Sequence, residues 1–296
     1  MTDTQYEQAA QHRLAVVGAG VMGTNITALA AGHGVDVTLV DVDEEILTAA
    51  RRTVRQKLQH AQLMGALPAG RPRGTVTTTA ALADVADATT VIEAVVEVAE
   101  VKRKVLAECS ALVAPGTLLI SNTSCVPVDE MAGWVVRGED LVGVHFMNPC
   151  YLIEMVEVIR GSATGDATMD AVGGLLDALE RQALVVNDAP GFVINRLLHP
   201  LINRAAMLVQ EGVADAETVD GLLEGCLGHS TGPLRTADLI GIDNLVDSLR
   251  VLHERTGDPE CAPCELMLRK VRDGHNGRKT GRGFYDYESA TERPIR

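Results

Sequence analysis

The chain has 296 residues and a formal net charge of −14; 46% of its residues are hydrophobic, 22% are charged and 3% are aromatic. This composition excludes a disordered or collagen-like chain, and the length predicts two domains, each with its own core. The negative charge and the few aromatic rings argue against nucleic-acid binding, which depends on clustered Lys and Arg and on base stacking.

The beginning of the sequence does not resemble a targeting segment. Residues 1–13 are polar and acidic, and they lack the basic start and apolar run of a signal peptide. No uninterrupted apolar stretch further along the chain reaches the length of about 18 residues that a membrane-spanning helix needs. We therefore expect a cytoplasmic protein without a membrane partner.

Apolar runs rich in β-branched residues alternate with segments of helical period, which is typical of a mostly parallel sheet with crossover helices. Strands are predicted at residues 14–17, 36–40, 75–78, 90–94, 117–120, 141–144, 155–159 and 184–186. Helices are predicted between them at residues 21–31, 44–64, 101–113 and 167–181. The sequence thus predicts an α/β domain of the Rossmann type over residues 1–188.

The strand pattern ends at the Asp-Ala-Pro-Gly turn of residues 188–191. Helices are predicted beyond it at residues 192–211, 215–224, 241–256 and 264–273. Residues 277–287 are too rich in glycine for regular structure and are expected to form a closing loop. An all-α C-terminal domain over residues 189–296 is therefore predicted.

A glycine-rich turn follows the first predicted strand. Gly18, Gly20 and Gly23 form a GxGxxG motif between a strand and a helix, which is the context of the dinucleotide fingerprint. Gly18 would permit the tight turn, Gly20 the approach of the pyrophosphate, and Gly23 the close packing of the helix. With Val21 and Met22, these residues predict an NAD pyrophosphate site at the helix N-terminus; a plain tight turn is the structural alternative.

An aspartate follows the second predicted strand. Asp41 lies 23 residues after Gly18, where a carboxylate would bind the adenosine ribose hydroxyls and repel the extra phosphate of NADP. The following Val42 and Asp43 include no arginine that could hold that phosphate. NAD is therefore favoured over NADP, with helix capping by Asp41 or Asp43 as the alternative role.

A histidine and a glutamate lie on two consecutive predicted strands. His145 follows an apolar run, at the carboxyl end of its strand, where open α/β sheets bind ligands. Glu157 has apolar neighbours in the next strand, and burying a carboxylate there is costly without a partner. Oxidation of a secondary alcohol needs a base for the hydroxyl proton, and an imidazole held by a carboxylate suits this task. The pair predicts a catalytic base, whereas His145 alone would more often be structural.

Polar residues 121–124 come directly after another predicted strand. They would project from the same sheet edge as His145, so that the hydroxyl of Ser124 could bind a substrate oxygen. The alternative is a helix cap, because Ser, Thr and Asn are favoured there and Asp129 and Glu130 follow shortly.

The six cysteines are scattered along the chain and are expected to be reduced thiols. Cys261 and Cys264 form a single CxxC, but a four-ligand zinc site would need a second pair. No metal is predicted.

Several motifs occur in order along the chain: the glycine turn, VIEAVVE (91–97), SNTS (121–124), HFMNP (145–149), VEV (156–158), PGFVINR (190–196) and KTGRGFY (279–285). Together they resemble the 3-hydroxyacyl-CoA dehydrogenase family, including its short 3-hydroxybutyryl-CoA members. The resemblance covers nearly the whole chain, from Gly18 to about Tyr287.

The resemblance implies roles for particular residues in an NAD-dependent dehydrogenase. His145 would be the base and Glu157 its partner. Ser124 and Asn195 would donate hydrogen bonds to the hydroxyl and thioester oxygens of the substrate.

The resemblance also assigns Glu97, Lys102 and Asn148 to the nicotinamide side of NAD. From the residues alone, Lys102 would be a solvated helix residue and Asn195 a polar helical position. The helical domain of the family forms a dimer and closes the active-site cleft, so the resemblance further implies a homodimer.

The sequence leaves the acyl carrier open. Family members that use coenzyme A commonly carry a lysine where this chain has Glu154. Arg51 and Arg55, on the second predicted helix, are candidates for binding the coenzyme A phosphates, although a solvated helix face explains them equally well. Arg235 and Thr236 also depart from the family pattern, and here the chain is similar to polyketide-pathway dehydrogenases. The expected substrate is thus a short 3-hydroxyacyl thioester of coenzyme A, in fatty acid metabolism, or of an acyl carrier protein.

Two other functions would use the same fold. Tyr151 weakly favours a relative that oxidises free hydroxy acids, which would need a cationic site for the substrate carboxylate. A non-enzymatic, NAD-binding structural protein is the other, and the intact set of Ser124, His145, Glu157 and Asn195 argues against it.

Overall fold

The computed structural model describes residues 12–287. The chain forms two compact units that meet between Ala189 and Pro190. The boundary that the sequence predicts, near residue 188, lies beside this point.

The first unit is built on one sheet of eight strands. The strands are β1 (Arg13–Val17), β2 (Asp36–Val40), β3 (Val76–Thr79), β4 (Thr90–Glu93), β5 (Leu118–Ser121), β6 (Leu141–His145), β7 (Met155–Arg160) and β8 (Gln182–Asn187). Their order across the sheet is β3-β2-β1-β4-β5-β6-β7-β8, and all neighbours are parallel except β6 and β7. All eight predicted strands are confirmed, with ends that differ by at most two residues.

The one antiparallel pair follows from a short connection. Residues 146–154 join β6 to β7 without a crossover helix, whereas a parallel neighbour would need a longer connection. Crossover helices cover both faces of the central parallel strands, which explains why these strands read as continuous apolar runs. Leu14, Val16, Leu39 and Ile120 from these strands lie in the core.

Within residues 12–189, five α-helices accompany the sheet: α1 (Val21–Gly32), α2 (Glu44–Leu63), α3 (Ala99–Leu112), α4 (Val128–Ala132) and α5 (Asp166–Ala178). Four of them confirm the predicted helices. The fourth predicted helix extends three residues too far, because α5 ends at Ala178 and the chain turns to enter β8. The sequence does not predict α4, because five residues give no recognisable period.

The second unit is helical, as the sequence predicts, with α6 (Ile194–Gln210), α7 (Ala216–Leu227), α8 (Pro233–Ile240), α9 (Ile242–Thr256) and α10 (Glu265–Arg272). The sequence misses α8, which Gly232 precedes and Pro233 begins. Proline suits the first position of a helix, but a Gly-Pro pair is more typical of a turn or loop, so the sequence gives no clear signal for this helix. Among residues 12–287, no helix is long and apolar enough to cross a bilayer.

The glycine-rich segment 277–287 forms the closing loop that the sequence predicts. The carboxylate of Asp238, which is 1% exposed, accepts the backbone N–H groups of Phe284 and Tyr285 at 2.9 Å each. A Cβ atom at Gly277 or Gly283 would lie 2.4 or 2.0 Å from atoms of Asp238. The glycines are therefore required by the close approach of the loop to α8.

Candidate active site

The residues of the predicted site gather at one edge of the sheet. The strands β1, β4, β5 and β6 are parallel neighbours, so their carboxyl ends meet at the same edge. The glycine turn follows β1, Glu93 ends β4, Ser121 ends β5 and His145 ends β6. The strand order reverses between β1 and β4, and such a switch point is where open α/β sheets bind ligands.

Each glycine of the turn has a distinct environment. Gly18 has a φ of +106°, and a Cβ there would lie 2.6 Å from the carbonyl oxygen of Ala94. A Cβ at Gly23 would lie 1.7 Å from the carbonyl oxygen of Gly18, so the helix packs directly on the turn. A Cβ at Gly20, in contrast, would meet no atom within 4 Å. Of the three glycines, only Gly20 therefore leaves room for a pyrophosphate to approach the backbone.

The N-terminus of α1 also fits an anionic group. Gly20 occupies the N-cap position without a side-chain capping bond, and the first turn contains no acidic residue. The first N–H groups of a helix, here beginning with Val21 and Met22, lack intrahelical partners and attract negative charge. These features fit the pyrophosphate of a dinucleotide.

Asp41 faces this turn from the end of β2. Its Oδ2 accepts the N–H of Ala19 at 2.8 Å, and its Oδ1 accepts the N–H of Asp43 at 3.2 Å. Helix capping is performed by Asp43, whose carboxylate accepts the N–H groups of Glu45 and Ile46. The capping alternative therefore applies to Asp43 and not to Asp41, which lies half-buried beside the glycine turn.

His145 and Glu157 face each other across the antiparallel strand pair. The register of β6 and β7 places their Cα atoms directly opposite, and Nδ1 of His145 lies 2.8 Å from Oε2 of Glu157. Each residue is only 6% exposed. The other ring nitrogen, Nε2, lies 3.3 Å from Oγ of Ser124. The three side chains form a continuous hydrogen-bonded row.

Ser124 belongs to a turn that the structure stabilises from within. The hydroxyl of Thr123 accepts the N–H of Val126 at 2.9 Å, and the side chain of Asn122 accepts the N–H of Phe146 at 3.1 Å. The N-cap of α4 is Pro127, which makes no side-chain capping bond. The residues 121–124 are therefore not a helix cap, and they lie beside β6 instead.

Lys102 occupies an environment that the residues alone did not predict. It was expected to be solvated, but it is fully buried, and its Nζ lies 2.9 Å from Oε1 of Glu93 and 3.0 Å from Oε2 of Glu97. The expectation of a solvated helix residue is wrong, because Lys102 faces β4 while its neighbours Arg103 and Lys104 are exposed.

The charges of Lys102, Glu93 and Glu97 stabilise each other. Burial alone would raise the pKa of the Glu97 carboxyl, but the Lys102 ammonium and the Thr123 hydroxyl outweigh burial and hold that pKa below its usual range. Burial would likewise lower the pKa of Lys102, yet the carboxylates of Glu93 and Glu97 raise it above its usual value. Lys102 and Glu97 therefore remain charged at neutral pH.

Two residues at this edge were given no role from the sequence. Glu93 is fully buried at the end of β4, and a carboxylate closing an apolar strand is the signal that points to it. Asn25, fully buried in α1, donates from Nδ2 to Oδ1 of Asn148 at 3.1 Å. Only the fold reveals this contact, because 123 residues separate the two side chains.

The other predicted site residues lie as follows. Asn195 is buried in the first turn of α6, within the helical unit. Arg51 and Arg55 are exposed on α2, and Nε of Arg51 donates to Oγ1 of Thr78 at 2.6 Å. A role for either arginine in substrate binding stays a prediction.

The cysteines of the helical unit do not form a metal centre with neighbouring ligands. Cys261 and Cys264 are free thiols in its hydrophobic core. Within residues 12–287, no group of three His, Cys, Asp or Glu side chains is arranged to hold a metal ion.

The sheet order and the glycine turn after β1 are those of a dinucleotide-binding domain. Comparison with protein families is more specific. Residues 13–189 match the family model "3-hydroxyacyl-CoA dehydrogenase, NAD binding domain", and residues 191–287 match "3-hydroxyacyl-CoA dehydrogenase, C-terminal domain". The chain belongs to the 3-hydroxyacyl-CoA dehydrogenase family.

Individual relatives match over nearly their full length. A 3-hydroxybutyryl-CoA dehydrogenase of Bradyrhizobium diazoefficiens is 38% identical, with 96% of this chain and 98% of the relative covered. The crystal structure of FadB2 from Mycobacterium tuberculosis is 36% identical, with a TM-score of 0.89 and coverage of 94% of this chain and 99% of that one. An (S)-3-hydroxybutyryl-CoA dehydrogenase from Ralstonia eutropha is 33% identical, with a TM-score of 0.84 and coverage of 93% and 99%.

The glycine geometry predicts different results for two alanine substitutions. The Gly20→Ala variant should fold normally, but its affinity for NADH should fall by about tenfold or more, because the added methyl group fills the space next to the α1 N-terminus. Gly23→Ala should lower the thermal unfolding temperature of the cofactor-free protein, because its Cβ cannot fit against Gly18. Thermal unfolding and NADH fluorescence titration measure both effects. Wild-type NADH affinity in Gly20→Ala would contradict the assignment of the pyrophosphate site.

Proposed function

We propose that the protein uses NAD to oxidise the 3-hydroxyl of a short 3-hydroxyacyl-CoA, of the 3-hydroxybutyryl-CoA type. The observation that carries the proposal is the buried pair of His145 and Glu157, 2.8 Å apart, at the sheet edge that also bears the glycine turn. Relatives named 3-hydroxybutyryl-CoA dehydrogenase support the substrate class, because the match to the Bradyrhizobium protein covers 96% of this chain.

His145 is assigned the role of general base. Its Nδ1–H donates to the Glu157 carboxylate, which leaves the Nε2 lone pair to accept the substrate's hydroxyl proton. As this proton moves to Nε2, the C–H hydrogen leaves the carbinol carbon as hydride and the hydroxyl becomes a ketone. Glu157 then stabilises the imidazolium. Ser124, whose Oγ lies 3.3 Å from Nε2, would hold the reacting oxygen.

The pyrophosphate of NAD is assigned to the glycine turn. Gly18, Gly20 and Gly23 let the cofactor approach the N–H groups that begin with Val21 and Met22. When bound, NAD supplies the hydride acceptor.

The adenosine and nicotinamide ends of NAD are assigned to residues on opposite sides of the glycine turn. Asp41 would bind the adenosine ribose and disfavour the phosphate of NADP. Glu97, Lys102 and Asn148 lie towards β5 and β6 and would orient the nicotinamide beside His145.

The family resemblance suggests further substrate contacts beyond the hydroxyl. Asn195 would donate to the thioester oxygen. Arg51 and Arg55 would bind coenzyme A phosphates, a role supported by their exposure and positive charge on α2.

We further infer a cytoplasmic homodimer. Residues 1–188 would form the NAD-binding domain, and residues 189–296 would provide the dimer interface and part of the substrate site. Exposed apolar side chains on the helical unit support an interface there, since Leu197 is 69%, Leu222 56% and Leu227 70% exposed.

An acyl carrier protein is the second candidate for the acyl carrier. Its phosphopantetheine arm carries the same thioester, so the chemistry at His145 would be unchanged. The exposed, acidic Glu154, where a lysine is common in users of coenzyme A, favours this alternative. Oxidation of a free hydroxy acid and a purely structural role are the remaining alternatives.

The carrier can be identified by following NADH oxidation with acetoacetyl esters of coenzyme A, of an acyl carrier protein and of N-acetylcysteamine. We expect turnover of the coenzyme A ester at roughly 1–10³ s⁻¹, the usual range of enzymes. Selective turnover of the carrier-protein ester would instead place the enzyme in a biosynthetic pathway such as polyketide synthesis. If none of the three esters reacts, the proposed substrate class is wrong.

Glu157→Gln tests the support of the base. The amide keeps the shape but cannot stabilise the imidazolium, so kcat should fall by roughly 10²-fold or more, with little change in NADH affinity. The exposed Glu139→Gln removes the same charge elsewhere in the first unit and should retain wild-type kcat. Steady-state kinetics and NADH titration of both variants provide the comparison. A Glu157→Gln enzyme with wild-type kcat would remove Glu157 from the mechanism.

A further inference from the structure

Glu93 is a buried carboxylate that accepts hydrogen bonds from three directions. Its Oε1 accepts the N–H of Val95 at 2.8 Å, and its Oε2 accepts the hydroxyl of Ser121 at 2.6 Å. Nζ of Lys102 donates to both oxygens, at 2.9 and 3.1 Å. The end of β4, the end of β5 and the helix α3 are thus joined at one side chain.

Lys102 connects Glu93 to a second carboxylate. Its Nζ lies 3.0 Å from Oε2 of Glu97, so one ammonium is shared between two carboxylates. Burying such charges costs desolvation energy, and well-packed apolar side chains of similar volume often give equal or greater stability. The presence of this cluster is therefore weak evidence for a purely stabilising role.

Glu97 accepts hydrogen bonds from residues 123–126, which follow β5. Its Oε1 accepts the hydroxyl of Thr123 and the backbone N–H groups of Ser124 at 2.9 Å, Cys125 at 3.0 Å and Val126 at 3.4 Å. Four donors converge on one oxygen atom. The backbone of Ser124 is consequently fixed relative to the carboxylate of Glu97.

The segment 121–126 is thus held at both ends by two carboxylates that share one lysine. Ser121, at its beginning, is bonded to Glu93, and the N–H groups of residues 124–126 are bonded to Glu97. Between these anchors, Oγ of Ser124 lies 3.3 Å from Nε2 of His145. This distance is near the upper limit for a hydrogen bond, so a shift of a few tenths of an ångström would break the contact.

We propose that Glu93 is a positioning residue, which acts through Lys102 and Glu97 to keep Ser124 within hydrogen-bonding distance of His145. This inference rests on the proposed function in one respect: the proposed function is what makes the Ser124–His145 contact important for catalysis. The contact itself can be measured without any substrate.

A double-mutant cycle tests whether Glu93 acts through Ser124. Glu93→Gln keeps the size of the side chain but removes the charge that holds Lys102, and we expect kcat with acetoacetyl-CoA to fall by about tenfold or more. In the Ser124→Ala background the same substitution should change kcat by less than about twofold, because the contact that it maintains is already absent. Equal fold losses in both backgrounds would overturn the proposal. Glu108→Gln, an exposed charge removal on α3, is the matched control and should leave kcat unchanged.

A second readout does not depend on turnover. The ¹⁵N chemical shift of His145 Nε2, measured in the cofactor-free protein at a pH where the ring is neutral, reports the hydrogen bond at that atom. We expect Glu93→Gln and Ser124→Ala each to change this shift, and the double variant to match Ser124→Ala. A wild-type His145 shift in Glu93→Gln would overturn the proposal. So would an equal change of that shift in the wild-type and Ser124→Ala backgrounds, because Glu93 would then affect His145 without acting through Ser124. If no thioester is turned over, the proposed function fails while this measurement still decides the role of Glu93.

Discussion

The antiparallel pairing of β6 with β7 is the constraint on which the proposed site depends. It places His145 directly opposite Glu157, so that the imidazole and the carboxylate meet on one face of the sheet. A slip of one residue in this register would move one of them to the other face. The short connection of residues 146–154 favours the antiparallel direction, and the register of the two strands then brings the pair together.

The parallel part of the sheet supplies the rest of the site through its strand order. Because β1, β4, β5 and β6 are neighbours, the glycine turn, Glu93, Ser121 and His145 follow one another along a single edge. Adjacent strands lie about 4.8 Å apart, and the proposed dinucleotide, with its pyrophosphate at α1, would extend across them with its nicotinamide end towards β6. In our proposal, Glu93, Glu97 and Lys102 near that end hold Ser124 in place for contact with the substrate.

Much of the fold could be predicted from local patterns, because buried parallel strands read as apolar runs and because Gly18 and Gly23 each meet a local steric demand in the turn. The burial of Lys102 could not be predicted, because Arg103 and Lys104 beside it are solvated and its partner Glu93 lies on another element. Family resemblance, and not the pattern of residues, singled Lys102 out. The contact of Asn25 with Asn148 could not be predicted because it is long-range. The helix α8 could not be predicted because it is short and flanked by glycine.

The proposed mechanism has His145 remove the hydroxyl proton of a 3-hydroxyacyl thioester while NAD takes up the hydride. The most direct test compares NADH formation from 3-hydroxybutyryl-CoA by the wild-type enzyme and by His145→Ala, with NADH affinity measured on the same samples. We predict that turnover falls by on the order of 10²- to 10⁴-fold in the variant while NADH affinity is retained. Turnover near the wild-type rate in His145→Ala would contradict the account.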